Sequence, residues 1–182
     1  MEIGSFADIC LAIVAIVGVF ISVREYLRSN KLKRSSYIEP LINKMKSKEI
    51  SKVVYMLQYG KFVYNSDFHG SGELERKVDK TLQYFSYLCY LREKNIISVD
   101  EFSFFELEIS QSLREPRLID YLFNLYHFVC HVEGYDPYND GIEKSIYSSL
   151  LRYAKKKGLI EDSFFDKNAY NKTSLYHNYL NF

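Results

Sequence analysis

The N-terminal segment from Phe6 to Val23 is the most constraining feature of this 182-residue sequence. It reads FADICLAIVAIVGVFISV, and from Ile9 to Val23 only Gly18 and Ser22 interrupt the apolar residues. As a helix the segment would be about 27 Å long, slightly less than the ~30 Å hydrocarbon core of a bilayer. A helix buried in a water-soluble protein usually keeps a polar stripe, and this segment has none. The sequence therefore predicts one membrane-spanning helix of marginal length.

Two other interpretations of this segment are a buried core helix and a cleaved signal peptide. A signal peptide begins with basic residues, whereas the leading charges here are the acidic Glu2 and Asp8. Basic residues follow the apolar run instead, at Arg24, Arg28, Lys31, Lys33 and Arg34. Such residues stay on the cytoplasmic side of a membrane and attract anionic lipid headgroups. We therefore expect a single-pass protein with its N-terminus outside and its C-terminal domain in the cytoplasm.

One face of the predicted membrane helix carries mostly small and polar residues. We call it the small-residue face, and its positions, spaced four and three apart, are Gly4, Asp8, Leu11, Ala15, Gly18 and Ser22. Membrane helices associate through close packing of small residues and through shared polar groups. Self-association is also one response to a helix that is shorter than the bilayer. We therefore expect the chain to form a homo-oligomer through this face.

The rest of the chain predicts an all-α bundle of about five helices. Apolar residues recur at helical spacing, and no segment shows the alternation of a strand. Ser98 and Glu101 form a capping box, Pro40 and Pro116 suit the first turn of a helix, and Gly158 is a typical helix stop. We predict a membrane anchor over 1–24, a basic juxtamembrane segment over 25–39, a cytosolic bundle over 40–160 and an aromatic tail over 161–182. The tail, rich in Phe and Tyr, is expected to dock on the bundle or on a neighbouring subunit.

Composition limits the classes of function. The net charge of +1 does not indicate a general nucleic-acid binder. Three cysteines, Cys10, Cys89 and Cys130, lie in apolar runs, which is typical of reduced, buried thiols in the cytosol. Their spacing does not match a structural zinc site, and we expect no metal and no cofactor.

Two groups of residues are candidates for chemistry. His127 and His131 are four residues apart and would share a helix face, but without a third ligand the sequence favours buried or interfacial histidines over a metal site. Arg114, Glu115 and Arg117, with His127 further along, could face a phosphate. The more economical interpretation of that group is a solvated helix junction.

The overall layout resembles a known family. A chain of this length that is rich in Tyr, Phe, Lys and Asn, with one N-terminal anchor, a basic flank and a helical cytosolic bundle, resembles the small accessory membrane proteins of type VI, RNA-targeting CRISPR systems. The resemblance implies a divergent HEPN-like helical domain in the bacterial inner membrane. It also implies a membrane pore that strengthens antiphage defence, with an RNA-guided nuclease or RNA among its partners. A second resemblance, to uncharacterised single-anchor bacterial proteins with small helical domains, implies no activity.

The ribonuclease motif of active HEPN domains, R-x-x-x-x-H, is not present. Five residues after each arginine stand Ser29, Lys33, Glu39, Thr81, Ile97, Ile119, Leu122 and Lys157, and never a histidine. The nearest counterpart is Arg152, which is followed by Lys157 and lacks the base. We therefore expect no catalytic residue, with Arg152 and His127 as the candidates that remain if RNA is cut.

Three hypotheses of function follow. The leading one is a homo-oligomeric membrane pore whose anchors form a ring and whose bundle assembles or gates it. The second is a membrane-tethered HEPN-like protein that binds or cuts RNA. The third is a membrane scaffold without catalytic activity.

Overall fold

The computed structural model describes residues 3–70, 72–132, 145, 147–166, 169 and 179. It describes the side chains of these residues except those of 3–9, 12, 31, 131 and 132. All regular secondary structure in this part of the chain is helical, which confirms the all-α prediction. The chain divides into two compact units, Met1–Asn43 and Lys44–Phe182.

The first α-helix, α1, is continuous from Ile3 to Met45. It passes through Pro40, so the prediction that Pro40 begins a new helix is wrong. Proline removes one backbone hydrogen bond from a helix, but its fixed φ is close to the helical value. One missing hydrogen bond does not end a helix as long as α1.

The N-terminal part of α1 exposes many large apolar side chains. Nine of them between Leu11 and Val23 are 50% to 75% exposed. In the part of the chain that the structure describes, no helix combines the length and the apolar character that crossing a membrane requires.

The second unit is a bundle in which α3 is the central helix. Its described α-helices are α2 (Lys48–Gln58), α3 (Glu73–Glu93), α4 (Val99–Ser112), α5 (Pro116–Val132) and α6 (Ser148–Lys156), with short 3-10 helices at Ser66–Phe68 and Asp162–Phe165. Helix α3 contacts α2, α4 and α6. The longest helix of this unit therefore contacts the three other helices α2, α4 and α6.

Two predicted helix starts are confirmed. At the start of α4, the Ser98 hydroxyl accepts a hydrogen bond from the Glu101 backbone N–H at 3.2 Å. The Glu101 carboxylate accepts one from the Ser98 backbone N–H at 2.7 Å, which completes the capping box. Helix α5 begins at Pro116, where the missing N–H of proline costs nothing.

Three helices end in a residue with positive φ. Helices α2, α3 and α6 are followed by Gly60, Asn95 and Gly158, with φ of 62°, 54° and 65°. After α6, the N–H of Leu159 donates to the carbonyl of Ala154 at 2.9 Å, and the N–H of Gly158 donates to Lys155 at 3.0 Å. This is a Schellman motif, and it confirms Gly158 as a helix stop.

Aromatic side chains form much of the core of the second unit. The largest fully buried side chains include Tyr121, Phe62, Phe85, Phe105, Phe123 and Phe164. Phe164 belongs to the predicted aromatic tail, and Tyr179 packs its ring on Tyr64 at 4.9 Å. The described part of the tail therefore docks on the bundle of its own chain. Cys89 and Cys130 are buried as predicted, whereas Cys10 is exposed and the prediction is wrong there.

Candidate functional site

A cleft of about 560 Å³ lies between α3, α4 and α6. Four cationic side chains line it, Arg92, Arg152, Lys156 and Lys157, together with two carboxylates, Glu93 and Glu106. Four positive and two negative charges leave a formal lining charge of +2. The volume lies within the usual range of small-molecule sites. We call this site the α3–α6 cleft.

Glu93 and Arg152 form the ion pair at one side of the cleft. Arg152 Nη2 donates to Glu93 Oε2 at 2.9 Å, and Ser149 Oγ donates to the same oxygen at 3.1 Å. Arg152 Nε lies 2.9 Å from Glu93 Oε1, but its N–H is not aimed at that oxygen, so this second contact is an ion pair without a hydrogen bond. The hydrogen bond from Arg152 lowers the pKa of Glu93 below its usual value. Arg152 is therefore held in place by an acid.

Glu106 organises the opposite side of the cleft. Lys157 Nζ lies 2.6 Å from Glu106 Oε1, and this contact is the largest reason why the pKa of Glu106 is lowered. The Tyr153 hydroxyl donates to the same carboxylate oxygen at 3.2 Å. Burial raises the pKa of Tyr153 to about 12. The phenol therefore keeps its proton at neutral pH.

The chemistry of the lining favours binding over catalysis. Among the described residues, neither Arg92 nor Lys156 pairs with a carboxylate, so both are available to an anionic ligand. The lining contains no histidine. Burial raises the pKa of the Cys89 thiol, so a reactive thiolate is not present at neutral pH. The cleft has cations to hold an anion, and its two carboxylates, Glu93 and Glu106, pair with Arg152 and Lys157.

His127 lies elsewhere, in an aromatic cluster beneath the 3-10 helix Asp162–Phe165. Its Nε2 is 2.9 Å from the backbone carbonyl of Phe164, and its ring packs on Phe123 with centroids 4.3 Å apart. Burial lowers the pKa of His127 to about 4. The described residues hold no group of histidine, cysteine or acid side chains suited to a metal, and His131 lies outside the described side chains. Arg152 and His127 are therefore not brought together.

At the start of α5, residues of the group that was predicted to face a phosphate bind other parts of the protein instead. Arg117 Nη1 donates to the backbone carbonyl of Phe62 at 2.9 Å. The carboxylate of Glu115 accepts from the Arg117 backbone N–H at 3.4 Å. Since His127 is buried in the aromatic cluster, it does not complete a phosphate site with Arg114 and Arg117.

The small-residue face lies within α1. The side chains of Leu11, Ala15 and Ser22 are exposed, and a Cβ placed on Gly18 would meet no atom of this chain within 4 Å. Ser22 Oγ donates to the carbonyl of Gly18 at 2.9 Å, which satisfies its donor within the helix. Gly4 and Asp8 lie outside the described side chains.

The basic flank also lies within α1. Arg24, Arg28, Lys33 and Arg34 are exposed, and the side chain of Lys31 is outside the described part. Arg28 makes a long contact of 4.0 Å with Glu25, which leaves it largely solvated. The flank presents charge to its surroundings along two to three turns of one helix.

A polar network that sequence reasoning missed joins α3, α5 and the start of α6. The hydroxyls of Tyr121 and Tyr147 both donate to Asp79 Oδ1, at 2.5 Å and 2.9 Å. Nearby, the Tyr64 hydroxyl and Glu75 hydrogen-bond the two ring nitrogens of His69, at 2.7 Å and 3.3 Å. A carboxylate on the core side of α3, next to Val78 and Leu82, was the signal in the sequence. We call the Asp79 contacts the Asp79 network.

Comparison of the chain with protein-family models, curated proteins and solved structures found no match in any of the three. The resemblance to accessory membrane proteins of type VI CRISPR systems stays a prediction.

Proposed function

We propose that this chain is a single-anchor protein of the bacterial inner membrane that self-associates through α1 and perturbs the membrane as a pore. In this proposal the helical domain is HEPN-like, lies in the cytoplasm and assembles or gates the ring. Antiphage defence linked to a CRISPR system is the role that the family resemblance suggests.

The exposure of the N-terminal part of α1 carries the proposal. Between Leu11 and Val23, nine large apolar side chains are at least half exposed, and apart from Leu11 they cover the sides of the helix outside the small-residue face. Keeping such a side chain in water costs about 1.5–3 kcal/mol relative to burying it. A single protein partner would cover one stripe of the helix, whereas lipid covers all of it. This supports a lipid environment for the segment.

The length of the segment is compatible with a short span. From Cys10 to Val23 a helix rises about 21 Å, which is less than a bilayer core. The proposal therefore includes residues 6–9, whose side chains lie outside the described part, and these bring the length to about 27 Å. A span of this length favours local thinning of the bilayer or association of several helices.

The exposed basic flank supports the orientation. Arg24, Arg28, Lys33 and Arg34 follow the apolar run directly and point to solvent. Each cation near an anionic surface contributes about 1 kcal/mol of attraction. This charge distribution favours an outside N-terminus and a cytoplasmic domain.

Gly18 supports self-association. Nothing in the chain comes within 4 Å of a Cβ at this position, so packing within the chain does not require glycine there. In lipid, small residues let two helix backbones approach closely, and that approach is the main source of association. A neighbouring copy of α1 is the simplest reason for a small residue at Gly18.

The second candidate function is RNA binding at the α3–α6 cleft, and its surplus of two positive charges is the observation that favours it. Phosphate groups are the ligands that such a lining would attract. Since the lining contains neither histidine nor an activated nucleophile, this candidate would bind RNA without cutting it.

Sizing and leakage of the full chain test the proposal. The protein would be purified in detergent, its mass measured by light scattering, and the sample added to anionic vesicles that contain a fluorescent dye. We expect a mass of several chains and dye release above that of detergent alone. A monomer that releases no dye would remove the pore proposal. Degradation of labelled single-stranded RNA by the same sample would favour the enzymatic alternative instead.

A further inference from the structure

Helix α4 presents an exposed face with both apolar and acidic side chains. Phe104 and Leu107 are 60% and 62% exposed, although they lie within a well-formed helix of the bundle. Asp100 and Glu108 are on the same side, because positions spaced by three and four residues share a helix face. We call Asp100, Phe104, Leu107 and Glu108 the acidic face. Among the described residues, neither of its two carboxylates forms an ion pair.

A groove of complementary character lies between α2 and the start of α3. Its volume is about 550 Å³, and it has an apolar floor and a basic rim. The side chains that matter are Lys52, Tyr55, Met56, Lys61, Leu74 and Lys77, which we call the basic groove. Tyr55 and Leu74 remain 50% and 42% exposed.

The charges of the two surfaces are opposite. Three lysines and one carboxylate, Glu73, line the basic groove, so its formal charge is +2. Glu73 pairs with Lys77, and among the described residues neither Lys52 nor Lys61 forms an ion pair, although Lys61 Nζ lies over the ring of Tyr55 at 4.9 Å. The acidic face has a formal charge of −2 from Asp100 and Glu108. The two surfaces therefore have opposite formal charges, and both carry exposed apolar side chains that could be buried against each other.

From this complementarity we infer that the acidic face of one copy docks in the basic groove of a second copy of this chain. Phe104 and Leu107 enter the groove between Tyr55 and Leu74, and Asp100 and Glu108 approach the lysines of the rim. An amphipathic helix that places its apolar face in a groove is a common mode of recognition. The two surfaces share no residue, and in the head-to-tail arrangement that we infer the contact is heterologous, so repeating it gives a ring when the rotation closes.

This inference rests on the proposed self-association and adds to it a second contact, formed by residues of the second unit. The two contacts are separable, because α1 contributes to neither surface. Loss of the domain contact with anchors still associated would overturn the inference and leave the proposed function intact. If the chain does not enter the membrane but still forms the domain contact, the proposed function is wrong and the inference stands.

Cysteine pairing tests the geometry directly. The full chain, with its three native cysteines replaced by serine or alanine, would carry either Leu107→Cys or Leu74→Cys, and copper-phenanthroline would be the oxidant. We expect disulfide-linked dimers when the two variants are mixed, and little dimer from either variant alone. If Leu107→Cys alone gave as much dimer as the mixture, the acidic faces of two copies would contact each other, and the inference would be wrong. No dimer in the mixture would also overturn it.

Charge reversal tests the energetics. Asp100→Lys with Glu108→Lys places like charges across the contact, as does Lys52→Glu with Lys61→Glu. We expect each double variant to raise the concentration of half-assembly about tenfold or more, with helical content and thermal unfolding unchanged. All four substitutions in one chain should restore assembly, since the charges are exchanged. If the variant with all four substitutions does not regain the oligomer mass, the inference is wrong. Binding of RNA or of an anionic vesicle to the basic groove of the assembled protein would also contradict it.

Discussion

His127 Nε2 donates a hydrogen bond to the backbone carbonyl of Phe164 across 2.9 Å, beneath the rings of Phe123 and Tyr126. The contact ties α5 to the 3-10 helix that begins the C-terminal tail. With 1% of its surface exposed, His127 gives the bundle a neutral imidazole that water does not reach. The residue that looked like a candidate base in the sequence is thus part of the core.

This burial predicts a stability that depends on pH. Well above pH 6.5 the imidazole of His127 is neutral in both the folded and the unfolded chain, so it adds no pH dependence there. As the pH falls from 6.5 towards about 4, the unfolded chain binds a proton that the folded chain does not bind, so stability decreases. The full loss from this residue is about 3 kcal/mol. Chemical unfolding of the full chain in detergent at several pH values measures it.

His127→Gln is the control for that experiment. Glutamine can still donate an N–H to the carbonyl but does not titrate. The slope of the unfolding free energy against pH should become smaller between pH 6.5 and pH 4, by up to the amount that the binding of one proton causes. An unchanged slope would mean that His127 already binds a proton in the folded state.

The Asp79 network predicts a large effect of a residue that is distant from the cleft. Asp79→Ala leaves the hydroxyls of Tyr121 and Tyr147 without their acceptor in a region that is largely dry. We expect a loss of about 2–4 kcal/mol in the free energy of unfolding, because each buried hydroxyl loses its partner. Denaturant titration followed by near-ultraviolet circular dichroism is the measurement. Asp67→Ala, at an exposed position, should change stability by no more than about 0.5 kcal/mol, and equal losses would refute the role of the network.

Local sequence signals predicted the ends of several helices. The capping box of Ser98 and Glu101, the start at Pro116 and the stop at Gly158 each depend on a few consecutive residues, and all three are confirmed. The prediction that a helix begins at Pro40 was wrong, because the local sequence does not distinguish a proline in the first turn of a helix from a proline inside a longer helix. Helix α1 continues on both sides of Pro40, from Ile3 to Met45, and a local pattern around the proline does not show this.

Contacts between distant parts of the chain were not predictable in the same way. Asp79 is 42 residues from Tyr121 and 68 from Tyr147, and no local pattern relates them. Leu107 is apolar but exposed, because it lies opposite the buried Phe105 and Ile109 on α4. Arg152 was a candidate from its place in a motif, whereas the cleft around it comes from the packing of α3, α4 and α6.

The proposed orientation in the membrane predicts a labelling pattern. With Cys10 replaced by serine, a cysteine at Ser5 should react in whole cells with a maleimide that cannot cross membranes. A cysteine at Ser66, which is exposed in the domain that the proposal places in the cytoplasm, should react only after the cells are opened. Mass spectrometry of the purified protein measures the labelled fraction. The reverse pattern would overturn the topology and with it the proposed function.

Arg152→Ala is predicted to leave membrane activity unchanged. The guanidinium pairs with Glu93 at a position that remains partly exposed, so its loss should cost at most about 1 kcal/mol of stability. Oligomer mass and dye release should match the wild type, and neither protein should degrade labelled RNA. Lys156→Ala, in the same cleft, is the matched control. Selective loss of activity in Arg152→Ala, with normal mass and folding, would indicate that the cleft has a retained role in RNA recognition.

Gly18→Leu tests whether the small-residue face holds the anchors together. A side chain at position 18 meets no atom within its own chain, so the folding of one copy should not change. Between two copies, the leucine would occupy the space where helix backbones come close, and lipid offers no compensating gain because leucine is equally stable facing lipid tails. We expect smaller oligomers on native gels and loss of membrane depolarisation, with insertion retained. Val19→Leu, at the adjacent exposed position, should behave like the wild type. If the two variants behave alike, the spacing of small residues in α1 is an accident of composition, and assembly has to come from the domain.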